Sequence, residues 1–184
     1  MDKTYRTELY RTYLIEALPA PLTPASSHIQ IFDNYIANTR MRLRSIRVPE
    51  TKEWTRMLQQ RFTIGDETSR WKIAEMHLND AEYAQLQIFE GTEIRKNRYF
   101  HEFDSHTVSF DVYLGQLWGV NRARIDFDNE NELEDFPIPP FAAFEITNHP
   151  FFDDANLVNQ KFEDIREAVS KLIPTSVSTA ELGQ

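Results

Sequence analysis

The chain has 184 residues, of which 41% are hydrophobic, and this is enough to bury one compact core. It has no cysteine, which excludes a disulfide framework and a thiolate metal site. The formal net charge of −9 argues against sequence-independent binding of DNA or RNA, because such binding needs a basic surface. The charged N-terminal residues lack the apolar run of a signal peptide, and no stretch is apolar for the length of a membrane span. We therefore expect a soluble, cytoplasmic protein.

Five strands are predicted in the first half of the chain. Runs rich in β-branched and aromatic residues end at prolines or turn residues, and the short Ala37-Asn38 link favours a hairpin between the second and third runs. Asn79 followed by Glu82 has the pattern of a capping box and predicts a helix to about residue 89 that ends at Gly91. The predicted strands cover residues 8–15, 28–36, 39–48, 54–62 and 70–78.

Four more strands are predicted in the second half, with an acidic, proline-bearing loop at residues 128–140. Asp153 or Asp154 is expected to cap a second helix that runs to about Leu172, because apolar residues recur there with helical spacing. The polar tail at residues 174–184 is predicted to be disordered. The strands cover residues 93–101, 107–113, 122–127 and 141–147.

This order of elements indicates the fold class. About eight or nine strands and two helices, without the alternation of parallel βαβ units, predict an α+β chain that is mainly antiparallel β. Strands in that number favour a closed barrel of about eight strands with flanking helices. We expect one domain over residues 1–173.

Basic residues recur at every second position within two of the predicted strands, and a third strand has an arginine and a glutamine with the same spacing. Arg42 and Arg44 share one face of their strand, as do Lys96 and Arg98, and Arg61 shares a face with a glutamine two residues before it. Like charges in a row repel each other unless they face water or an anion. Spacing alone leaves two interpretations open, a solvated outer face of the sheet and a basic interior that binds an anion.

Several short runs, in order along residues 7–158, resemble the strands of one known family. They are DNYIANTRMRLR at 33–44, LQQR at 58–61, LNDAEY at 78–83, IRKNRY at 94–99, FDVYLGQL at 110–117 and FEIT at 144–147. Each run matches its family motif only loosely, but the occurrence of all of them in the same order is specific. The chain resembles the CYTH superfamily, the triphosphate tunnel metalloenzymes.

The resemblance implies an eight-stranded tunnel that binds linear triphosphate. Basic residues would hold the phosphate oxygens, and glutamates would hold Mg²⁺ or Mn²⁺, which polarises the phosphoryl group. Family activities include hydrolysis of inorganic, thiamine and RNA-terminal triphosphates and cyclisation of ATP, and the fold alone does not choose among them. Carried over by position, the phosphate-binding residues are Arg42, Arg44, Arg61, Lys96 and Arg98.

The chain departs from the family pattern at the acidic positions. The N-terminal Glu-x-Glu-x-Lys falls on Glu8, Tyr10 and Thr12, and the late Glu-x-Glu falls on Arg124 and Asp126. Glu8 and Asp126 are the acids left as candidate metal ligands, with Glu75 or Asp111 as a further candidate, so we expect metal binding to be weak or absent. Arg124 is expected to join the phosphate-binding residues and to replace the missing metal charge.

Two functions therefore stay open. The first is a metal-dependent triphosphatase with a rebuilt set of acids, and the second is a catalytically inactive module that binds a polyanion. A barrel for an apolar ligand is disfavoured by five cations in the predicted interior. In both open cases the expected partner is a small polyanion, namely a triphosphate, a polyphosphate or a nucleotide.

Overall fold

The computed structural model describes residues 5–65, 67–89 and 91–172, with the backbone alone at residues 67 and 68. The predicted tail at residues 174–184 lies outside the described residues. The helices are α1 (Asp80–Leu86), α2 (Glu130–Asp135), α3 (Asp154–Leu157) and α4 (Phe162–Leu172), and short 3₁₀ turns cover Gln87–Phe89, Gly115–Leu117 and Pro150–Phe152. The strands are β1 (Arg6–Leu14), β2 (His28–Tyr35), β3 (Met41–Arg47), β4 (Trp54–Ile64), β5 (Glu67–Leu78), β6 (Thr92–Phe103), β7 (His106–Tyr113), β8 (Asn121–Phe127) and β9 (Phe144–Glu145).

Strands β1 to β8 form a closed antiparallel barrel. Their order around the barrel is β5-β4-β3-β2-β6-β7-β8-β1, and β1 pairs with β5 to complete the circle. Closure removes the exposed sheet edges on which other strands could pair. The eight-stranded closed barrel that the sequence predicts is confirmed.

Two apolar clusters hold the barrel and its helices together. One lies on the outer face of β7 and β8, where Val108, Phe110 and Ile125 are almost fully buried. The other brings Leu14 and Ile94 against residues from α3 and α4, so the helices pack across one end of the barrel. Within the described residues, no helix is long and apolar enough to cross a membrane.

The helix at residues 80–86 begins as the sequence predicts. The Asn79 side chain accepts from the Glu82 N–H, and the Glu82 carboxylate accepts from the Asn79 N–H, so both bonds of the capping box form. After α1 the chain continues in a 3₁₀ turn, where Ile88 and Phe89 are 79% and 51% exposed.

Three predicted elements need correction. The segment at 128–140, predicted as a loop, contains α2, because Asn129 caps the Glu132 N–H. The predicted strand at 141–147 reduces to the two residues of β9, because β5 already pairs with the first half of the same β1 edge. The predicted second helix is two helices, α3 and α4, since the Asp164 carboxylate accepts from the Lys161 N–H and starts a new helix there.

Candidate functional site

The barrel interior contains a cavity of about 450 Å³. Alternation along β3, β4, β6 and β8 turns every second side chain inward, and this brings together basic residues that lie far apart in sequence. The selected basic residues of these strands therefore face the barrel interior and do not form a solvated outer face. All six predicted phosphate-binding residues line the cavity: Arg42, Arg44, Arg61, Lys96, Arg98 and Arg124.

Arg122 also lines the cavity, although sequence reasoning did not select it. It lies two residues before Arg124 on β8, so the same alternation that selects the other arginines could have found it. Its guanidinium donates to the backbone oxygen of Phe152 at 3.0 Å. We refer to Arg122 and the six predicted basic residues as the lumen cations.

Asp33 is the acidic partner of the β3 arginines. It is fully buried, and it accepts two bonds of 2.6 Å from Arg44 and one of 3.3 Å from Arg42. Burial alone would raise the pKa of Asp33, but the two guanidinium groups outweigh burial and lower this pKa to about 2. Arg42 also donates to Gln59 at 2.8 Å and to the Tyr35 hydroxyl at 3.1 Å. These bonds hold both guanidinium groups in fixed positions.

Two further carboxylates neutralise the cations of β6 and β8. Asp111 binds Arg98 through bonds of 2.6 and 2.8 Å and lies 2.8 Å from the Lys96 ammonium. Asp154 lies 2.6 Å from the same ammonium and 3.0 Å from Arg122. Burial lowers the pKa of Lys96, and the two carboxylates only partly oppose this effect. The result is a buried network of alternating positive and negative charges.

Arg61 reaches the same cavity from β4. Its guanidinium lies 3.2 Å from Asp153, donates to the Tyr10 hydroxyl at 3.2 Å and lies over the Trp71 ring at 4.0 Å. Among the described residues, the buried Nε atoms of Arg61 and Arg122 have no hydrogen-bond partner. A buried donor without a partner is unfavourable, so these two nitrogens are donors that the described residues leave unsatisfied.

Arg124 lies between the two acids that the sequence analysis selects as candidate metal ligands. It binds Glu8 at 2.8 Å and donates from Nε to Asp126 at 2.9 Å. The other oxygen of Glu8 lies 2.6 Å from Arg6 at the exposed rim. Burial alone would raise the pKa of Glu8, but Arg124 lowers it to about 2. The Arg124 guanidinium also lies 4.0 Å from the centre of the Tyr10 ring.

Comparison with known proteins identifies the fold. No family model matches the chain. An inorganic triphosphatase of Acetivibrio thermocellus is 28% identical over 93 residues, which are 50% of this chain and only 58% of that protein. The crystal structure of the inorganic triphosphatase NE1496 aligns with a TM-score of 0.56 and 18% identity, covering 83% of this chain and 95% of that chain. A second crystal structure of NE1496, described as a hypothetical protein, aligns with a TM-score of 0.56 and 16% identity, covering 84% of this chain and 99% of that chain. The chain has the triphosphate tunnel fold.

The acids of this tunnel do not fit the divalent ion that the resemblance implies. Mg²⁺ requires near-octahedral oxygen ligation, and Mn²⁺ also prefers oxygen ligands. Here Glu8 and Asp126 both bind the Arg124 guanidinium, and Tyr10 supplies a neutral phenol where the pattern has a carboxylate. Within the described residues, no group of three or more His, Cys, Asp or Glu side chains could hold a metal ion. A guanidinium fixed between two acids would also repel a cation.

The tunnel is almost neutral before any ligand binds. The seven lumen cations and Arg6, which also lines the cavity, bind six acids, so the described charges leave about two positive charges in excess. This balance explains how so many buried cations are stable together, because a buried charge without a partner is strongly unfavourable. We refer to the six acids as the lumen carboxylates: Glu8, Asp33, Asp111, Asp126, Asp153 and Asp154.

Proposed function

We propose that the tunnel binds a linear triphosphate or a short polyphosphate. The observation that carries this proposal is the convergence of eight basic side chains, the seven lumen cations and Arg6, on one cavity. Its volume of about 450 Å³ lies within the range of about 300–1,000 Å³ that is usual for small-ligand sites. A linear polyanion matches cations that come from several walls of a tunnel, whereas a single phosphate would contact only a few of them.

The lumen carboxylates have a definite role in this binding. They hold each guanidinium in place before the ligand arrives, so little side-chain entropy is lost on binding. Arg44 and Arg98 each bind a carboxylate through two nitrogens, which is the same geometry that a guanidinium uses for phosphate.

Hydrolysis of the bound triphosphate is a second candidate function. The inorganic triphosphatase that is 28% identical over half of this chain favours it. The contact of Arg124 with both Glu8 and Asp126 favours binding without rapid hydrolysis. A guanidinium can stabilise phosphate charge, but it does not lower the pKa of a water molecule in the way that a metal ion does.

Calorimetric titration with inorganic triphosphate, pyrophosphate and orthophosphate tests the binding proposal. At equal ionic strength we expect triphosphate to bind most tightly and to raise the melting temperature most. Arg44→Gln and Arg98→Gln should each weaken triphosphate binding about 10-fold or more, because a charged hydrogen bond contributes about 1.5–3 kcal/mol.

The matched control is Arg95→Gln, since Arg95 is an exposed arginine on β6 that binds Glu93 outside the cavity. This variant should bind triphosphate as the unmodified protein does. Equal affinity for all three phosphates would refute the binding proposal. Phosphate release, measured in the same samples, separates a triphosphatase from a protein that only binds its ligand.

A further inference from the structure

The two departures from the family's acidic pattern contact each other. Tyr10 takes the place of the second N-terminal glutamate, and Arg124 takes the place of the first late glutamate. The Arg124 guanidinium lies 4.0 Å from the centre of the Tyr10 ring, and the Tyr10 hydroxyl accepts from Arg61 at 3.2 Å. A carboxylate at position 10 could not offer this aromatic face. The two residues therefore form one local arrangement and not two unrelated losses.

Both remaining acids bind the Arg124 guanidinium. Nε and Nη2 of Arg124 bind Asp126 and Glu8, and the second oxygen of Glu8 binds Arg6. Among the described residues, Nη1 of Arg124 has no such partner and is left to donate to an anion in the cavity. The side chain of Arg124 is 17% exposed, so a ligand in the cavity can reach it.

The net charge at positions 8, 10, 124 and 126 also differs from that of the family pattern. The family pattern has acids at positions 8, 10, 124 and 126, and a polyanion would be repelled by four carboxylates without a cation among them. In this chain Glu8, Asp126 and Arg124 together carry about one net negative charge, and Tyr10 is neutral. One divalent ion on four carboxylates would leave a charge that is more negative than this.

We propose that this tunnel binds triphosphate without a divalent metal ion, because Arg124 supplies a fixed positive charge at the place of a metal-ligating glutamate. This inference rests on the proposed function and adds that the Arg124 guanidinium neutralises part of the ligand's charge at one end of the cavity. It follows that magnesium does not assist binding. Magnesium instead competes for the ligand, since it forms a complex with triphosphate in solution.

The test is a calorimetric titration of the full chain with inorganic triphosphate, once in EDTA and once in magnesium chloride. Binding in EDTA should be at least as tight as binding in magnesium. Binding that is about 10-fold tighter in magnesium, or that is lost in EDTA, would overturn the inference and leave the proposed function intact. Absence of binding in both buffers would refute the proposed function as well.

Variants at the two departures provide an independent readout. Tyr10→Glu combined with Arg124→Glu restores the acidic pattern, so magnesium alone should raise the melting temperature of this variant and not that of the unmodified chain. Its triphosphate binding should fall about 10-fold or more in EDTA and recover in magnesium. A folded variant whose triphosphate binding in EDTA equals that of the unmodified chain would contradict the inference.

A milder variant covers the case in which the double variant does not fold. Arg124→Gln keeps a hydrogen-bonding side chain but removes the charge, and we expect about 10-fold weaker triphosphate binding in EDTA. Arg95→Gln, on the exposed face of β6, is the control and should change neither binding nor the effect of magnesium. Unchanged binding in a folded Arg124→Gln variant would show that Arg124 does not carry the charge.

Discussion

Asp111 offers the sharpest test of the charge balance in the tunnel. It is 1% exposed and lies opposite Arg98 on one neighbouring strand and Arg122 on the other. It binds Arg98 with both oxygens and also contacts Lys96. Asp111→Asn keeps the shape of the side chain, removes its charge and replaces one acceptor oxygen by a donor, so the variant removes both the counterion and one hydrogen bond to Arg98.

The expected loss of stability follows from burial. Removing one partner of a buried ion pair destabilises a protein by about 3–5 kcal/mol. Asp154 still binds Lys96 and Arg122 in the variant, so we expect the lower value, about 3 kcal/mol. For a chain of this length, that corresponds to a melting temperature about 6–12 °C lower.

Triphosphate should reverse much of this loss. The variant exposes a larger excess of positive charge to the cavity, so the ligand should raise its melting temperature more than that of the unmodified protein. Differential scanning calorimetry with and without triphosphate measures both effects. Asp80→Asn is the control, because Asp80 is 93% exposed and its pair with Arg56 contributes about 1 kcal/mol or less. Unchanged stability of Asp111→Asn without ligand would refute the charge-balance argument.

Two other predictions concern acid stability and one glycine. Arg42 and Arg44 hold the pKa of Asp33 at about 2, and Arg124 holds that of Glu8 at about 2, below their ordinary values of 3.8 and 4.5, so both acids stabilise the fold above those ordinary values. The melting temperature should therefore fall as the pH is lowered from about 4.5 to about 2, and a flat profile in that window would contradict these pKa values. Gly91→Ala should lower the free energy of unfolding by more than the roughly 3 kcal/mol typical of overpacking, because the new Cβ would lie 1.3 Å from the Tyr35 backbone oxygen. A denaturant titration measures this change, and a smaller loss would show that the end of β2 can move.

The barrel could be predicted because its signals are local. A strand can be recognised from its own residues, because polar and apolar side chains alternate along it, and turn or capping residues mark where it ends. The predicted capping box at Asn79 forms with both of its bonds. The elements that were missed have weaker local signals. Asn129 caps α2 as Asn79 caps α1, but the prolines that follow it favoured a loop.

Two acidic partners in the tunnel could have been found from the sequence. Asp104 and Ser105 both have positive φ and form the tight turn between β6 and β7. A turn centred there places Arg98 directly opposite Asp111. The β2–β3 hairpin pairs Asp33 with an arginine of β3 in the same way. The strand register, once it is fixed by the turn, would therefore have identified Asp111 and Asp33 as counterions.

Asp153 and Asp154 could not have been placed in the tunnel by such reasoning. Their local pattern is that of a helix start, and Asp153 does cap α3 through the Ala155 N–H. Their contacts with Arg61 and Lys96 join residues 92 and 58 positions apart in sequence. Only the closed barrel and the packing of α3 across its end bring these groups together. The single domain over residues 1–173 and the cytoplasmic location remain predictions.

The lumen carboxylates bear on which ligand the tunnel would select. Because every lumen cation already binds an acid, an incoming anion gains little from a single contact and must compete with a carboxylate for each further one. Orthophosphate reaches few cations at once, so its gain is close to this loss. On the proposed function, a triphosphate would reach cations on β3, β6 and β8 together, so the entropy cost of ordering one ligand would be offset by many charged hydrogen bonds. On the proposed function, discrimination by chain length arises from the acids that neutralise the tunnel as much as from the arginines that line it.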